Sequence, residues 1–425
     1  VDERPPLSLT SDKSSECYRN WWPGPDDAMV RLMNRSIDLL EGLAESSGNA
    51  FQLNRRGYLF ATPDPAGIPA MRQSAQQAAA LGAGPLRQHT GQSAGPAYQP
   101  APPEGYQGQP DGADLILDPA LIFRHFPYLA PATVAVLHVR RAGWFSAQQL
   151  GMLLLSRAQA HGVRLVQARL AGVTVDRGRV AGVTLDAAGR RETILTGAFV
   201  NAAGPYLGEV GRMLGVELPV THELHLKASI RDALAVMPRH APLLIWQAAQ
   251  RLPWSADEAA SLAESQEARW LLETMPAGVH SRPEGGPESQ NILLLWDYHT
   301  APVAPVYPLE LDSLYPEIAL RGMAAMLPGL SAYFDRLPRP YLDGGYYTKT
   351  RENRLLSGPL PVRGGFVLGA LSGFGLMAAC GAAELLACTI SGAELPSYAP
   401  AFSLARYDDP AYRQRLADWG PSGQL

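Results

Sequence analysis

The 425-residue sequence predicts a mixed α/β (α+β) fold in two parts: a Rossmann-like domain and a second domain built on an antiparallel sheet. Three observations predict it. Gly365 to Gly369 reads as a strand that passes through Ala370-Leu371-Ser372-Gly373-Phe374-Gly375-Leu376-Met377 into an Ala- and Leu-rich helix. Residues 146 to 204 read as a helix, three short strands and a further strand closing at Ala202-Ala203-Gly204, a unit that can sit against a nucleotide. Residues 217 to 345 mix strands with a polar helical insertion and read as a substrate-side domain.

Composition excludes several function classes. With 46% hydrophobic residues the chain can build a full core, and its length suits two domains or one large mixed one. Net charge is −4 and no basic block occurs, which argues against a nucleic-acid partner. Cys17, Cys380 and Cys388 form neither a disulfide framework nor a metal-ligand spacing, so no metal is expected. The expectation is a reducing compartment and a cytoplasmic protein without a secretory leader. No apolar run reaches ~18 residues, so no membrane span is expected.

The elements follow in order. Asp26 to Ser47 places Met29, Val30, Met33, Ile37, Leu40 and Leu43 at helical spacing, entered through Pro23-Gly24-Pro25 and left at Gly48. Phe51 to Ala61 reads as a strand pair with Gly57 between. Gly84 to Gly112, rich in Gly, Pro and Gln and without periodicity, reads as a long surface loop. Ser146 caps a helix ending near Gly162. Val163–Gln167, Leu170–Asp176 and Arg179–Leu185 read as strands, and Ile194–Asn201 as another. Ser255 to Glu273 is the polar insertion, and Ala277 to Gln290 a flexible patch. In the last helix Gly381, Ala382 and Ala383 are expected along one face. The glycines of the Ser372–Met377 turn admit two readings. They let backbone approach a planar ligand and aim unpaired helix N–H groups at it, or they only satisfy the angles of a strand-to-helix turn.

Four segments together carry a resemblance: Val1-Asp2 with Thr10-Ser11-Asp12-Lys13-Ser14-Ser15 and Arg19-Asn20-Trp21-Trp22; Ala142-Gly143-Trp144 with the hairpin around Leu170; Val200 to Gly204; and Gly345-Tyr346-Tyr347-Thr348 with Gly369 to Met377. In order and spacing they resemble the FAD-dependent D-amino-acid-oxidase-like superfamily, the glycine and sarcosine oxidases and dimethylglycine dehydrogenase. The resemblance implies an FAD-binding domain assembled from residues 1–84 (with the start of the substrate domain), 113–216 and 345–425. A flexible loop would occupy 85–112 and the substrate domain 217–344. Members of that family open with a G-x-G-x-x-G turn about 20–30 residues before the acidic residue that Asp2 matches. This sequence opens at that second strand's end, and the expectation is a longer protein upstream.

The resemblance also implies site residues. Asp2, with Glu3 as fallback, would hold the adenosine ribose. Ser11, Ser14 and Ser15, with Thr10 and Lys13 beside them, would meet the phosphates and ribityl chain. Leu170 would meet the adenine, and Ala203 and Gly204 would lie along the dinucleotide. Gly345, Gly373, Phe374, Gly375, Leu376 and Met377 would border the flavin, the backbone amides of Gly375 to Met377 stabilising its reduced form. Gly345 replaces the cysteine of covalent relatives, so FAD is expected to be non-covalent. Arg19, Tyr347 and His225 are the expected catalytic residues that orient substrate, with His222, Arg351 and Arg354 as weaker candidates, and Cys17 and Cys380 are read as packing. The implied activity is oxidation of an amine or amino acid (N-methyl, D- or glycine-type) by hydride transfer to flavin N5. Met377 stands where oxidase relatives carry a lysine, which points to a dehydrogenase with a separate electron acceptor. A 2-hydroxy-acid dehydrogenase and a non-catalytic flavoprotein-like assembly factor are the alternatives.

Overall fold

The computed structural model describes residues 1–22, 24–91, 96–298, 300–417 and 419. The chain begins with β1 (Cys17–Arg19), α1 (Ala28–Ser46), β2 (Tyr58–Thr62), α2 (Ile68–Ala78), β3 (Leu86–His89), β4 (Ala113–Ile116), α3 (Pro119–His125), β5 (Ala135–Val139), β6 (Ala142–Trp144) and α4 (Ala147–Ala160). There follow β7 (Arg169–Asp176), β8 (Arg179–Ala187), β9 (Arg190–Leu195), β10 (Phe199–Asn201), α5 (Leu207–Met213), β11 (Thr221–Arg231), β12 (Leu243–Trp246), β13 (Gln250–Arg251), α6 (Ala256–Glu264), β14 (Thr274–Met275), β15 (His280–Pro283), β16 (Asn291–Leu295) and α7 (Tyr315–Met323). The last elements are β17 (Tyr341–Lys349), β18 (Leu356–Pro359), β19 (Gly365–Gly369), α8 (Gly375–Ser391) and α9 (Pro410–Ala417).

A nine-stranded mixed sheet, in the order β17-β11-β16-β15-β12-β2-β5-β4-β3, organises the molecule. Its β2–β12 and β3–β4 pairs are parallel, so the sheet is mixed where the sequence suggested an antiparallel one. Strands β2, β12 and β16 are apolar runs because both faces are covered. Successive side chains of a strand point to opposite faces. Leu243 and Ile245 of β12 accordingly join a core with α1 and α8, while Leu244 and Trp246 join a second core with α7. A smaller sheet, β10-β19-β18, sets β10 parallel to β19, with Asn201 opposite Val367. The meander β7-β8-β9 forms a separate sheet that packs Val180 against Leu356 and Val367 of the smaller one.

Helices α1 and α8 pack closely because small residues meet at the crossing. A Cβ on Gly381 would come within 3.0 Å of Leu32 Cδ1. Ser36, fully buried, donates to the Met377 carbonyl and accepts from the Gly381 N–H at 3.1 Å. That link fixes α8, and with it the turn at its N-terminus. Gly381 and Ala382 are buried but Ala383 is exposed, since consecutive helical residues point about 100° apart.

Several local expectations need correction. Phe51 to Ala61 yields one strand, β2, because its hydrogen-bonding partners come from β5 and β12. The Gly/Pro-rich segment after Gly84 contains β3, recruited as the sheet edge by pairing with β4. Val163–Gln167 is not a strand; only Gln167 bridges, to Asp2. Ile194–Asn201 splits into the end of β9 and β10, because the two halves pair with different sheets. The patch at 277–290 contains β15, whose four residues are all buried.

Candidate active site

The residues with the chemistry meet where one end of the large sheet faces the N-terminus of α8. A small chamber there is lined by Lys13, Ser15, Arg19, Trp22, Tyr58, His225, His280, Asp297, Tyr347, Gly373, Phe374 and Met377, among others. Strand register places them. In the β11–β17 pair Glu223 lies opposite Tyr347 and His225 opposite Gly345, so Glu223 and His225, two apart, share a face. Tyr347, the diagonal neighbour, lies over the His225 ring at 3.8 Å and 18°. His280 enters from β15, opposite Ile245 and Leu295.

The surroundings of the two histidines shift their pKa values in opposite directions. His225 Nδ1 lies 2.7 Å from Asp297 Oδ1, and Nε2 lies 3.2 Å from Glu223 Oε2. Burial alone would favour neutral imidazole, but the two carboxylates outweigh it and raise the pKa to about 9. Lys349 anchors Glu223 from the other side at 2.8 Å. His280 is 6% exposed and holds the Gly278 carbonyl through Nδ1 at 2.8 Å. A carbonyl only accepts, so Nδ1 carries the proton and Nε2 keeps its lone pair. Burial pushes the His280 pKa down. His280 was missed in the sequence because a lone histidine on a buried strand has no spacing signal.

Arg19 is 5% exposed, with its guanidinium 4.7 Å from the Trp22 ring and 5.6 Å from that of Tyr58. Its Nε donates to the Trp21 carbonyl at 3.3 Å. Tyr347 is held protonated by burial. Of the expected catalytic residues, Arg19, Tyr347 and His225 therefore meet in one chamber. His222 does not line it and pairs with Thr348 at 3.0 Å. Arg351 is exposed, and Arg354 is committed to Asp26 and stacked over Trp419 at 4.7 Å, so neither supplements Tyr347. Cys17 is buried and packs, as read from the sequence.

His225 gives a pH prediction. A folded pKa of about 9 lies above the ordinary value near 6.5, so the charge pairing stabilises the fold fully below pH ~6.5 and is lost as pH rises through 9. Thermal denaturation should show Tm falling between pH 7 and pH 10. The Asp297→Asn protein should lose much of that slope; an unchanged slope would mean His225 is not the group.

The expected cofactor residues are placed as follows. Asp2 bridges Gln167 and its Oδ1 accepts the Arg4 N–H at 3.0 Å, while Glu3 is exposed. Arg4 lies over Tyr307 at 4.7 Å, and Tyr307 meets both Tyr206, just beyond Ala203 and Gly204, and Tyr346. Leu170 packs in a small cluster with Val183 and Leu185. Ser11 is exposed; Ser14 is buried, its hydroxyl donating to the Ser11 carbonyl and accepting from Glu16 N–H. Ala370 and Ser372 adopt left-handed angles (φ 55° and 47°) to deliver the chain into α8. The Phe374 cap leaves the first-turn N–H groups of Gly375, Leu376 and Met377 to an outside acceptor, as at any helix start.

The donors suit the acceptor edge of a flavin, but the space does not. Residues 10–15 lie against the same surface. Thr10 Oγ1 donates to the Tyr346 carbonyl, and a Cβ on Gly345 would come within 2.9 Å of Thr10 Cα. Lys13 pairs with Asp343 at 2.8 Å, and Lys227 Nζ donates to the Asp12 and Ser14 carbonyls. The chamber left between this segment and α8 holds about 40 Å³, against several hundred for a typical cofactor site. In this arrangement the ring does not fit; it enters only where residues 10–15 give way. Among the described residues no cluster of three His, Cys, Asp or Glu could hold a metal, and no helix is long and apolar enough to cross a membrane.

The family whose model matches is described as FAD dependent oxidoreductase (DAO), over residues 1–389. Among solved structures, the fold is similar to that of an L-proline dehydrogenase from P. horikoshii (TM-score 0.71, 17% identity, 96% of this chain and 90% of that one). It is also similar to a glycine oxidase from Geobacillus kaustophilus (0.69, 15%, 95% and 90%) and an iminodiacetate oxidase from Chelativorans sp. BNC1 (0.64, 16%, 95% and 90%). No curated protein matches the sequence.

Proposed function

This chain belongs to the FAD dependent oxidoreductase (DAO) family, and from that premise we propose that it oxidises an amine or amino acid, of N-methyl, D- or glycine type, in the Arg19–His225–His280 chamber. FAD is the family's cofactor and supplies the two-electron acceptor. The chain's own residues supply binding and proton handling. The observation that carries the reading is the pair of histidines in one buried chamber, His225 between two carboxylates and His280 on a backbone carbonyl, surroundings that push their pKa values apart as an acid and a base require.

An amino acid arrives as a zwitterion. Arg19 brings a buried positive charge to the chamber that favours its carboxylate. His280 Nε2, with its lone pair, accepts the proton that leaves. The nitrogen lone pair is then available to assist C–H cleavage, and the Tyr347 hydroxyl can hold either carboxylate or amine. Met377 brings an uncharged thioether to the chamber and Lys13 is engaged by Asp12 and Asp343. That favours a dehydrogenase with a separate acceptor over an oxygen-using oxidase.

The test is product analysis with FAD-loaded protein and an artificial electron acceptor. Sarcosine or another N-methyl amino acid should release methylamine, and a D-amino acid ammonia. Turnover of a 2-hydroxy acid such as lactate, with none of the amines consumed, would contradict the reading.

A further inference from the structure

Asp297 stands just past the end of β16 and keeps that strand's alternation. Leu295 lines the chamber, Trp296 turns to the second core, and Asp297 returns to the chamber. Leu295 lies directly opposite His280, so Asp297 follows on the face from which His280 projects. Strand β16 pairs with β11 on one side and β15 on the other. Asp297 therefore comes between His225 and His280, and the placement of all three is set inside the large sheet rather than by residues 10–15.

The carboxylate is only partly used. Among the described residues His225 alone donates a hydrogen bond to it, from Nδ1 to Oδ1 at 2.7 Å. A carboxylate has about four acceptor positions over its two oxygens, so Oδ2 keeps its capacity. The side chain also keeps 30% of its surface accessible. Burial works against its ionisation, but the charge and hydrogen bond of His225 outweigh that and lower its pKa. Glu223, the other carboxylate on His225, does not line the chamber and is closed by Lys349 at 2.8 Å. The chamber thus holds two acceptors from neighbouring strands, the anionic Asp297 Oδ2 and the His280 Nε2 lone pair.

Resting on the amine-oxidation reading above, we propose that Asp297 recognises the substrate nitrogen, and that the substrate is a primary or secondary amino acid whose ammonium gives one N–H to Asp297 Oδ2 and another to His280 Nε2. When the second N–H bond breaks, its electron pair stays on nitrogen and its proton is bound by Nε2. The first N–H remains on Asp297. A tertiary amine, with a single N–H, satisfies only one of the two acceptors. A 2-hydroxy acid brings no positive charge to the carboxylate and forgoes the charge-assisted bond.

Anaerobic calorimetry on FAD-loaded protein reduced with dithionite tests this without turnover. The ligands are matched pairs: glycine with glycolate, D-alanine with D-lactate, sarcosine with methoxyacetate. The nitrogen member of at least one pair should bind roughly tenfold or more tightly than its oxygen counterpart, as a hydrogen bond to a charged group gives. Sarcosine should bind more tightly than N,N-dimethylglycine. Asp297→Asn should bring the nitrogen-to-oxygen ratio to within about twofold of unity; an unchanged circular dichroism spectrum shows that it folds. Glu223→Gln also takes a carboxylate from His225 but none from the nitrogen, so its ratio should stay within about twofold of the unsubstituted protein's. No preference for nitrogen in any pair, or N,N-dimethylglycine bound as tightly as sarcosine, would overturn the proposal, and neither result needs a variant to fold. A preference that survives Asp297→Asn, or an equal loss in Glu223→Gln, would overturn it too. The outcome separates from that of the parent reading. An amine bound with an Asp297-dependent preference but never oxidised leaves the assignment standing and removes the oxidation. Oxidation with a ratio untouched by Asp297→Asn does the reverse.

Discussion

Arg19→Met should lower kcat/KM for an amino acid by roughly 30- to several-thousand-fold, with most of the loss in KM. The basis is the cost of truncating one partner of a buried, hydrogen-bonded charge pair, about 2–5 kcal/mol. Arg19 is 5% exposed and walled by Trp22 and Tyr58, so solvent does little to screen its charge. Methionine is close to the stem of arginine in length and suits that apolar wall, so the fold should survive. Arg19→Lys keeps the charge and loses the fork, and should recover only part of the activity. A KM within threefold of the unsubstituted protein would place the substrate carboxylate elsewhere.

His280→Leu should lower kcat by about 10²–10⁴ at neutral pH, the usual contribution of a positioned base. The pH profile separates this role from a structural one. In the unsubstituted enzyme kcat/KM should fall on the acid side as His280 takes a proton below pH ~6.5, since burial lowers its pKa. It should fall again above about 9 as His225 loses its proton. His280→Leu should lose the acid limb and keep the alkaline one, with the deficit shrinking as pH rises and solvent deprotonates the amine. A uniform loss across the profile would assign His280 a packing role.

Much of this was legible in the sequence because it rests on local signals. The amphipathic spacing of α1, the Ser146 cap of α4 and the strand-turn-helix at 365–391 each depend on neighbours a few residues apart, and each stands where expected. Arg19, His225 and Tyr347 were singled out through resemblance; His225 and Tyr347 meet through the β11–β17 register and Arg19 comes to them from β1, a meeting that no local pattern encodes. Asp297 and His280 were not found. His280 sits on a four-residue polar strand and Asp297 just beyond an apolar one, neither with a readable periodicity, and they matter only because β15 and β16 pair next to β11 and β12. The edge strand β3 was likewise hidden in a Gly- and Pro-rich stretch, since what makes it a strand is β4 beside it. The obstruction of the flavin track by residues 10–15 is a tertiary fact, set by Lys13–Asp343 and by Lys227 holding two backbone carbonyls.

The most direct test of amine oxidation in this chamber is an anaerobic absorbance titration. FAD-loaded protein is mixed with an N-methyl amino acid, and the oxidised-flavin band is followed with no acceptor present. The band should bleach with substrate, at a rate reduced at least 100-fold in His280→Leu. A band that stays intact with N-methyl, D- and glycine-type substrates alike, in protein that demonstrably holds FAD, would contradict it.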